Sequence, residues 1–571
     1  MSYFFNGRLY ITPAVMSQVN DSAMYNPNTN VGNVLAILGT SVGGAPNTPL
    51  VFSNAEQARA ALVSGDLVDA CKAAFDPSSD TTGPASVVAI RVNPAVQASL
   101  TLLDGSAAQV ITLTSTDYGL YTNQIKAKVE AGSVSGRKLT VQYGTGVYSQ
   151  DNLARNAFTV QYSGAQASAQ MTITNSTLTL AAPTGTTVAT IALATYPTIQ
   201  SLVDRINAVS GFAATVSPGS AQTPSVNGLD SIAAQDVKTA LYTATANLQA
   251  CVDWLNSAGE GFVTAVRVAG AGAVPVAIPF TYLTGGTDGT VTNTQWSNGF
   301  STLQNVDAQW VVPLSSDVSI HAMADAHVQY MSGPARLERR AIVGMASGTT
   351  DALALAEAIT INSDRTSLVH LGYYDYDVNG ALTLYQPYIL AAMIGGAFCG
   401  VTPGTPLTNK TLKLRGLERQ LRDPTDTDPL ISGGVLCVRK TSTGYRVVKS
   451  ISTWLTNTNY NRVEQSTGVA LDYAVRSVRE ALRDIKGSKG SPTTLGLAVS
   501  KADTVLRVLA TAEPVGPGVI VGDATNPAYK NITASLTGDV LAVSFQCSPV
   551  IPVNYVPVTV YAVPYSGTVS L

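Results

Sequence analysis

Ala308-Gln-Trp-Val-Val-Pro-Leu314 is an apolar run long enough for one strand, and Ser315-Ser-Asp317 behind it offers side chains suited to capping a helix. A helix is predicted over Val318 to Met331, then a strand (Arg340 to Met345), a helix (Asp351 to Ile361), a strand (Ser367 to Tyr373) and a helix (Tyr385 to Phe398). Strands alternating with helices of this length imply βαβ units and a mostly parallel sheet.

The same texture occurs near the start of the chain, with a strand at Val34 to Leu38, helices at Asn54 to Leu62 and Leu67 to Phe75, and a strand at Ser86 to Val92. Between the two α/β stretches, from about Thr101 to Thr281, short alternating runs such as Gln109 to Thr114, Gln124 to Glu130, Lys138 to Tyr143, Ala157 to Tyr162 and Ala169 to Thr174 predict antiparallel β-structure. Two helices, Ile199 to Val209 and Ala233 to Asn256, are expected to interrupt it. The fold class is therefore α/β plus β. A discontinuous central α/β domain, residues 24–103 and 286–409, carries an inserted β-rich domain at 104–285. An extended arm (1–23) precedes it, and an α+β domain (410–571) follows.

In that last domain Val475, Val478, Leu482 and Ile485 share one face of a helix from Val469 to Ile485, with Arg476, Arg479 and Arg483 as a basic stripe beside it. One reading of the stripe is a solvated helix face with partial pairing, Asp472 to Arg476 and Arg476 to Glu480, and the other is contact with a partner. Leu541, Val543, Phe545 and Cys547 alternate on one face of a strand, and Pro549 and Pro552 then break the run. Val556-Pro-Val-Thr-Val-Tyr-Ala-Val563 is predicted to be a further strand with no following partner. Its open backbone groups must join an earlier strand or another chain.

Of the 571 residues 45% are hydrophobic and only 12% charged, about half the usual charged share. Lys (13) and Glu (9) are scarcer than Arg (21) and Asp (28), a bias that fits a surface covered by neighbours. Residues 1–409 carry 16 bases and 25 acids, whereas 410–571 carry 18 bases and 12 acids. Such asymmetry suits head-to-tail contact between copies or with a fixed partner. With no dense basic run and no aromatic platform, nucleic acid is not the expected partner. Five scattered cysteines predict buried free thiols. The first residues lack the pattern of a secretion signal, and Tyr388 to Val401 is too short to span a bilayer.

Gly39-Thr-Ser-Val-Gly43 matches a GxSxG nucleophile elbow, which would make Ser41 a hydrolase nucleophile. An elbow must launch a helix, and Gly44, Pro46 and Pro49 argue for a turn instead. The three histidines do not help: His321 and His327 fall on different faces of one helix, and His370 reads as a core residue. Asp375 and Asp377 lie in a Tyr-rich turn without a partner base, and Gly487-Ser-Lys-Gly-Ser491 reads as a helix stop and loop. No catalytic, metal or cofactor site assembles.

Gly39-Thr-Ser-Val-Gly-Gly-Ala-Pro-Asn-Thr-Pro49 with Val51-Phe-Ser-Asn-Ala-Glu56, Ser115-Thr-Asp-Tyr-Gly-Leu-Tyr-Thr-Asn-Gln-Ile125, Leu283-Thr-Gly-Gly-Thr-Asp-Gly289, Thr443-Gly-Tyr-Arg-Val-Val-Lys-Ser-Ile-Ser-Thr453 and Asn461-Arg-Val-Glu464 occur in this order. Together they resemble the tail sheath protein of contractile-tailed bacteriophages over nearly the whole chain. Leu430-Ile-Ser-Gly-Gly-Val-Leu-Cys437 departs from that family's Arg-Gly-Ile-Asn-like segment.

The resemblance implies a non-enzymatic subunit of a six-fold helical sleeve of stacked rings. The sleeve would assemble in the host cytoplasm around a tail tube, meet baseplate and terminator proteins, and contract to deliver the genome. It further implies exchanged terminal strands between subunits, placing Leu9, Ile11, Leu541, Val543, Phe545, Val556, Val558 and Val560 in inter-subunit sheets. Asn6, Gly7 and the linker Pro549 to Pro552 would be the hinges, and Arg476, Arg479 and Arg483 would face the tube or a neighbour. No cofactor, nucleic acid or membrane insertion is implied. A sheath from a bacterial injection device or bacteriocin is the alternative of the same kind.

Overall fold

The computed structural model describes residues 3–5, 8–10, 33–257 and 261–567. Its centre is a six-stranded sheet in the order Thr366–Val369, Arg340–Gly344, Trp310–Pro313, Val34–Gly39, Ser86–Arg91, Pro49–Phe52. All neighbours are parallel except the Pro49–Phe52 edge strand. Three strands come from before residue 92 and three from after residue 309, so one sheet is assembled from two distant stretches of chain.

The central strands read as continuous apolar runs because both faces are covered. Leu35 and Ile37 point to a core shared with the helices Asp66–Phe75 and Pro387–Cys399. Ala36 and Leu38 point to a second core with the helices Asn293–Leu303, Val318–Ser332 and Asp351–Ile361. Helix Pro387–Cys399 is apolar all round and sits inside the molecule, with Phe398 stacked on Trp310 at 4.3 Å between ring centroids. A Cβ on its Gly396 would lie 2.2 Å from the carbonyl oxygen of Ala74, so only glycine permits this helix-to-helix approach. Among the described residues no helix is long and apolar enough to cross a membrane.

Residues 99–282 form four antiparallel sheets around two further cores. The predicted alternating runs are strands, for example Gln109–Ser115, Lys126–Ala131, Arg137–Tyr143 and Asn156–Tyr162. The helix expected over 233–256 is corrected. Ile232–Asp236 and Tyr242–Thr245 are strands, and the helix begins only at Asn247. Asp236 causes the break, because its carboxylate accepts from the backbone N–H groups of Lys238 and Thr239 and closes a turn.

Cys71, Cys251, Cys399 and Cys437 are buried free thiols and Cys547 is a half-buried one. Asp317 caps the helix Val318–Ser332 by accepting from Ser319 N at 2.8 Å, the structural role its position predicted. His370 is a core residue paired with Asp351 at 2.9 Å.

Candidate inter-subunit surface

The last part of the chain is built on two helices, Gln465–Ala481 and Pro492–Leu509. Ala470, Ala474 and Val478 of the first meet Ala502, Leu506 and Leu509 of the second. A two-stranded antiparallel sheet, Tyr529–Thr537 with Val540–Cys547, lies over this pair. Val543, Phe545 and Cys547 turn inward against the helices, as their alternation predicted, and Leu541 is half-buried in line with them. Each strand pairs only with the other among the described residues, so both edges of the sheet keep unpaired backbone groups.

The chain then crosses the body in a defined path. Ser548 N donates to Ala528 O, Val550 N donates to Val519 O at 3.0 Å, and Thr467 Oγ1 donates to Val550 O at 3.2 Å. Asn554 Nδ2 donates to Glu464 Oε1 at 2.7 Å, and Lys449 Nζ lies 5.8 Å from the centroid of the Tyr555 ring. The stretch Pro549 to Pro552, expected to be a hinge, is therefore fastened. Release begins after Tyr555.

Val556, Val558 and Val560 are 75%, 79% and 82% exposed. The strand predicted over 556–563 is not formed in the single chain: among the described residues this segment pairs with nothing. Alternating valines favour extended backbone but cannot supply the second row of donors and acceptors that a strand needs. At the other end Tyr3–Phe5 pairs with Arg8–Tyr10, which puts Leu9 opposite Phe4. Ile11 and the expected hinge residues Asn6 and Gly7 lie outside the described residues.

The arginine stripe finds partners that the reading of a solvated, self-paired helix face did not give it. Arg476 pairs with Asp307 and Arg479 with Glu338, whose Oε2 accepts from Arg479 Nη1 at 3.1 Å. Both acids belong to the α/β body. The expected pairs within the helix, Asp472 to Arg476 and Arg476 to Glu480, give way to them. Asp472 instead holds Arg365 (2.9 and 3.0 Å) and Arg340 (3.0 and 3.1 Å). Burial pushes the Asp472 carboxyl up, but Arg340 and Arg365 outweigh it and hold it below its ordinary value. Only Arg483 points outward, 76% exposed and 3.0 Å from Glu480. The charge asymmetry of the sequence is thus spent partly inside one subunit.

Ser41 is buried, and its Oγ donates to the Gly43 carbonyl at 2.7 Å. The three histidines bond elsewhere: His321 to Glu357, His327 to Arg339 and His370 to Asp351. A hydroxyl tied to its own turn, without a base, is not an activated nucleophile.

A layered α/β body that displays unpaired strand edges and an uncovered apolar terminal segment has the features of a self-associating structural protein. Relatives agree with this class. The chain is 29% identical over 582 aligned residues to the tail sheath protein of Bacillus phage SP01, covering 99% of this chain and 97% of that protein. It is 24% identical over 512 aligned residues to the tail sheath protein of Staphylococcus phage Twort, covering 83% and 85%. Its fold is similar to the crystal structure of a sheath tail protein from Listeria innocua, with a TM-score of 0.55 at 14% identity, over 90% of this chain and 92% of that one. No family model matches the chain. The chain is similar to phage tail sheath proteins over nearly its whole length.

Proposed function

We propose that the chain is the repeating subunit of a contractile phage tail sheath, a helical homopolymer of stacked six-membered rings around a tail tube, capped by baseplate and terminator proteins and assembled in the host cytoplasm. The observation that carries this reading is the fastened exit at Asn554 followed by exposed, strand-forming residues, in a molecule whose C-terminal sheet has two open edges. A strand added to such an edge gains backbone hydrogen bonds along its length, and its alternate side chains give register.

In this reading Val556, Val558 and Val560 leave one subunit and extend a sheet of another, with Leu541, Val543 and Phe545 on the receiving hairpin and Leu9 and Ile11 in the N-terminal arm. Residues 24–103 and 286–409 make the contacts that change on contraction, residues 104–285 form an outer protrusion, and residues 410–571 line the inside. Contraction is a rigid-body rearrangement of connected subunits that drives the tube through the host envelope. Arg483 is the stripe residue left to meet the tube.

Electron microscopy of the purified full chain tests the proposal. Sleeves of uniform width are expected, and discrete monomers at high concentration overturn it.

A further inference from the structure

Three helices cover one face of the central sheet, Asn293–Leu303, Val318–Ser332 and Asp351–Ile361, and the middle one packs against both others. They hold 11, 15 and 11 residues, and the charged side chains in all that length are Asp325, Asp351 and Glu357. Each is engaged within the subunit. Asp325 accepts from Thr366 Oγ1 at 2.7 Å, Asp351 pairs with His370 and Arg419, and Glu357 pairs with His321 at 3.1 Å. The two histidines of the layer, His321 and His327, are buried.

A helix that faces water ordinarily carries charge on its outer side. Elsewhere this chain keeps to that rule: Gln465–Ala481 and Pro492–Leu509 carry seven charged side chains, among them the exposed Glu480 and Arg507. The three-helix layer departs from it. In its middle helix Val318, Ala322, Ala326 and Tyr330 stand four apart in one exposed line, and in its last helix Leu353, Ala356 and Ile359 stand three apart in another. Val318, Tyr330, Leu353 and Ile359 are 53%, 50%, 60% and 62% exposed. The first helix adds Ser297, Asn298 and Ser301, exposed and uncharged. The alanines between the larger side chains keep the face shallow, so another surface can approach closely.

We propose that this layer is buried against a second copy of the chain in the assembled polymer, a contact that rests on the reading of the chain as a sheath subunit. Loss of charge with retention of Tyr and aliphatic side chains is the composition of an interface core. Three helices side by side at roughly 10 Å spacing, each roughly 16–22 Å long, present a face of about 500 Å². With its counterpart on the partner, that reaches the roughly 1,000 Å² that a specific interface needs. An uncharged layer also selects an uncharged partner surface, because a lone charge set against it would lose its water without gaining a counter-ion. A chain with only 12% charged residues is well supplied with such surface.

The test uses two variants of the full chain. Leu353→Lys/Ile359→Lys alters side chains that point to solvent, so the subunit should stay folded with a melting temperature within about 3 °C of wild type. The concentration it needs to form sleeves should rise at least about tenfold, because two ammonium groups would be desolvated in the contact. Ile359→Cys reports burial directly. A maleimide should label that residue rapidly in the dilute subunit and at least about tenfold more slowly in sleeves, read by mass spectrometry of the labelled peptide. Should the double variant fail to fold, the labelling of Ile359→Cys decides. Sleeves formed by the double variant at the wild-type concentration, or equal labelling in subunit and sleeve, overturn this contact and leave the sheath reading standing. Slow labelling already in the dilute subunit also overturns it, since the chain would then cover the layer by itself. Wild-type chains that remain monomers overturn the sheath reading and the contact together.

Discussion

Asn554 donates its side-chain amide to the buried carboxylate of Glu464 at 2.7 Å, and beyond that bond the chain leaves its own body. Deleting Val556 to Leu571 should therefore give a soluble, folded subunit that no longer polymerises. Sedimentation and negative-stain microscopy check this, and sleeves built from the truncated chain would contradict strand exchange. Deletion from Asn554 should in addition lower stability by about 1–3 kcal/mol, read by urea unfolding, because the buried Glu464 carboxylate loses one of its donors.

Glu464 and Asp472 lie eight positions apart and respond to pH with opposite sign. Burial pushes the Glu464 carboxyl above its ordinary 4.5, with Lys449 and Asn554 only partly offsetting it. Its contribution to stability is full below 4.5 and is lost as pH rises through the folded value. Asp472 is held below its ordinary 3.8, so its contribution is present above 3.8 and is lost as pH falls through the folded value. Measured against wild type, Glu464→Gln should gain stability as pH rises from 4 to 8. Asp472→Asn should be most destabilising near neutrality and less so toward pH 3. Parallel stability curves for wild type and variants would refute both assignments.

Asp472→Ala leaves Arg340 and Arg365 facing each other without a carboxylate. A loss of about 3–5 kcal/mol is expected from a broken buried pair, and equilibrium unfolding measures it. Arg483→Ala, on an exposed side chain, should change stability by less than about 0.5 kcal/mol. That contrast makes Arg483 the usable probe of tube contact. Weakened co-assembly with purified tubes at low salt is the expected result for this variant alone.

Ser41→Ala removes a hydroxyl that bonds only within its own turn. No labelling of Ser41 by a fluorophosphonate is expected in the wild type, checked by mass spectrometry of the intact chain. A single modified serine at position 41 would reopen the hydrolase reading.

The parallel sheet was legible because its strands are unbroken apolar runs, such as Trp310–Pro313, bounded by residues that cap helices. The inward face of the C-terminal hairpin was legible because Val543, Phe545 and Cys547 alternate with polar residues. The helix Pro492–Leu509 was missed although its signals are present. Ser491 accepts from Thr494 N, Pro492 occupies the first turn, and Ala498, Ala502, Leu506 and Leu509 are buried at helical spacing.

The partners of the arginine stripe could not be read at all. Asp307 stands 169 residues from Arg476, and Glu338 stands 141 from Arg479. Only the folded arrangement brings them together, so spacing along one helix favoured nearer acids that the structure leaves aside. The fastening of Pro549 to Pro552 was hidden for the same reason, since it depends on Val519, Thr467 and Glu464.

The position of that fastening also sets a length. Eight extended residues, Val556 to Val563, reach at most roughly 28 Å from Tyr555, and any that are paired into a sheet are no longer available as leash. In the proposed exchange, a strand that receives Val556 to Val563 would have to come within that radius of the donor's anchor and stay within it through any rearrangement of the lattice. In the proposed exchange this stretch would be a ruler as well as a bond: the reach of Val556 to Val563 would bound the step by which two copies linked through it can part.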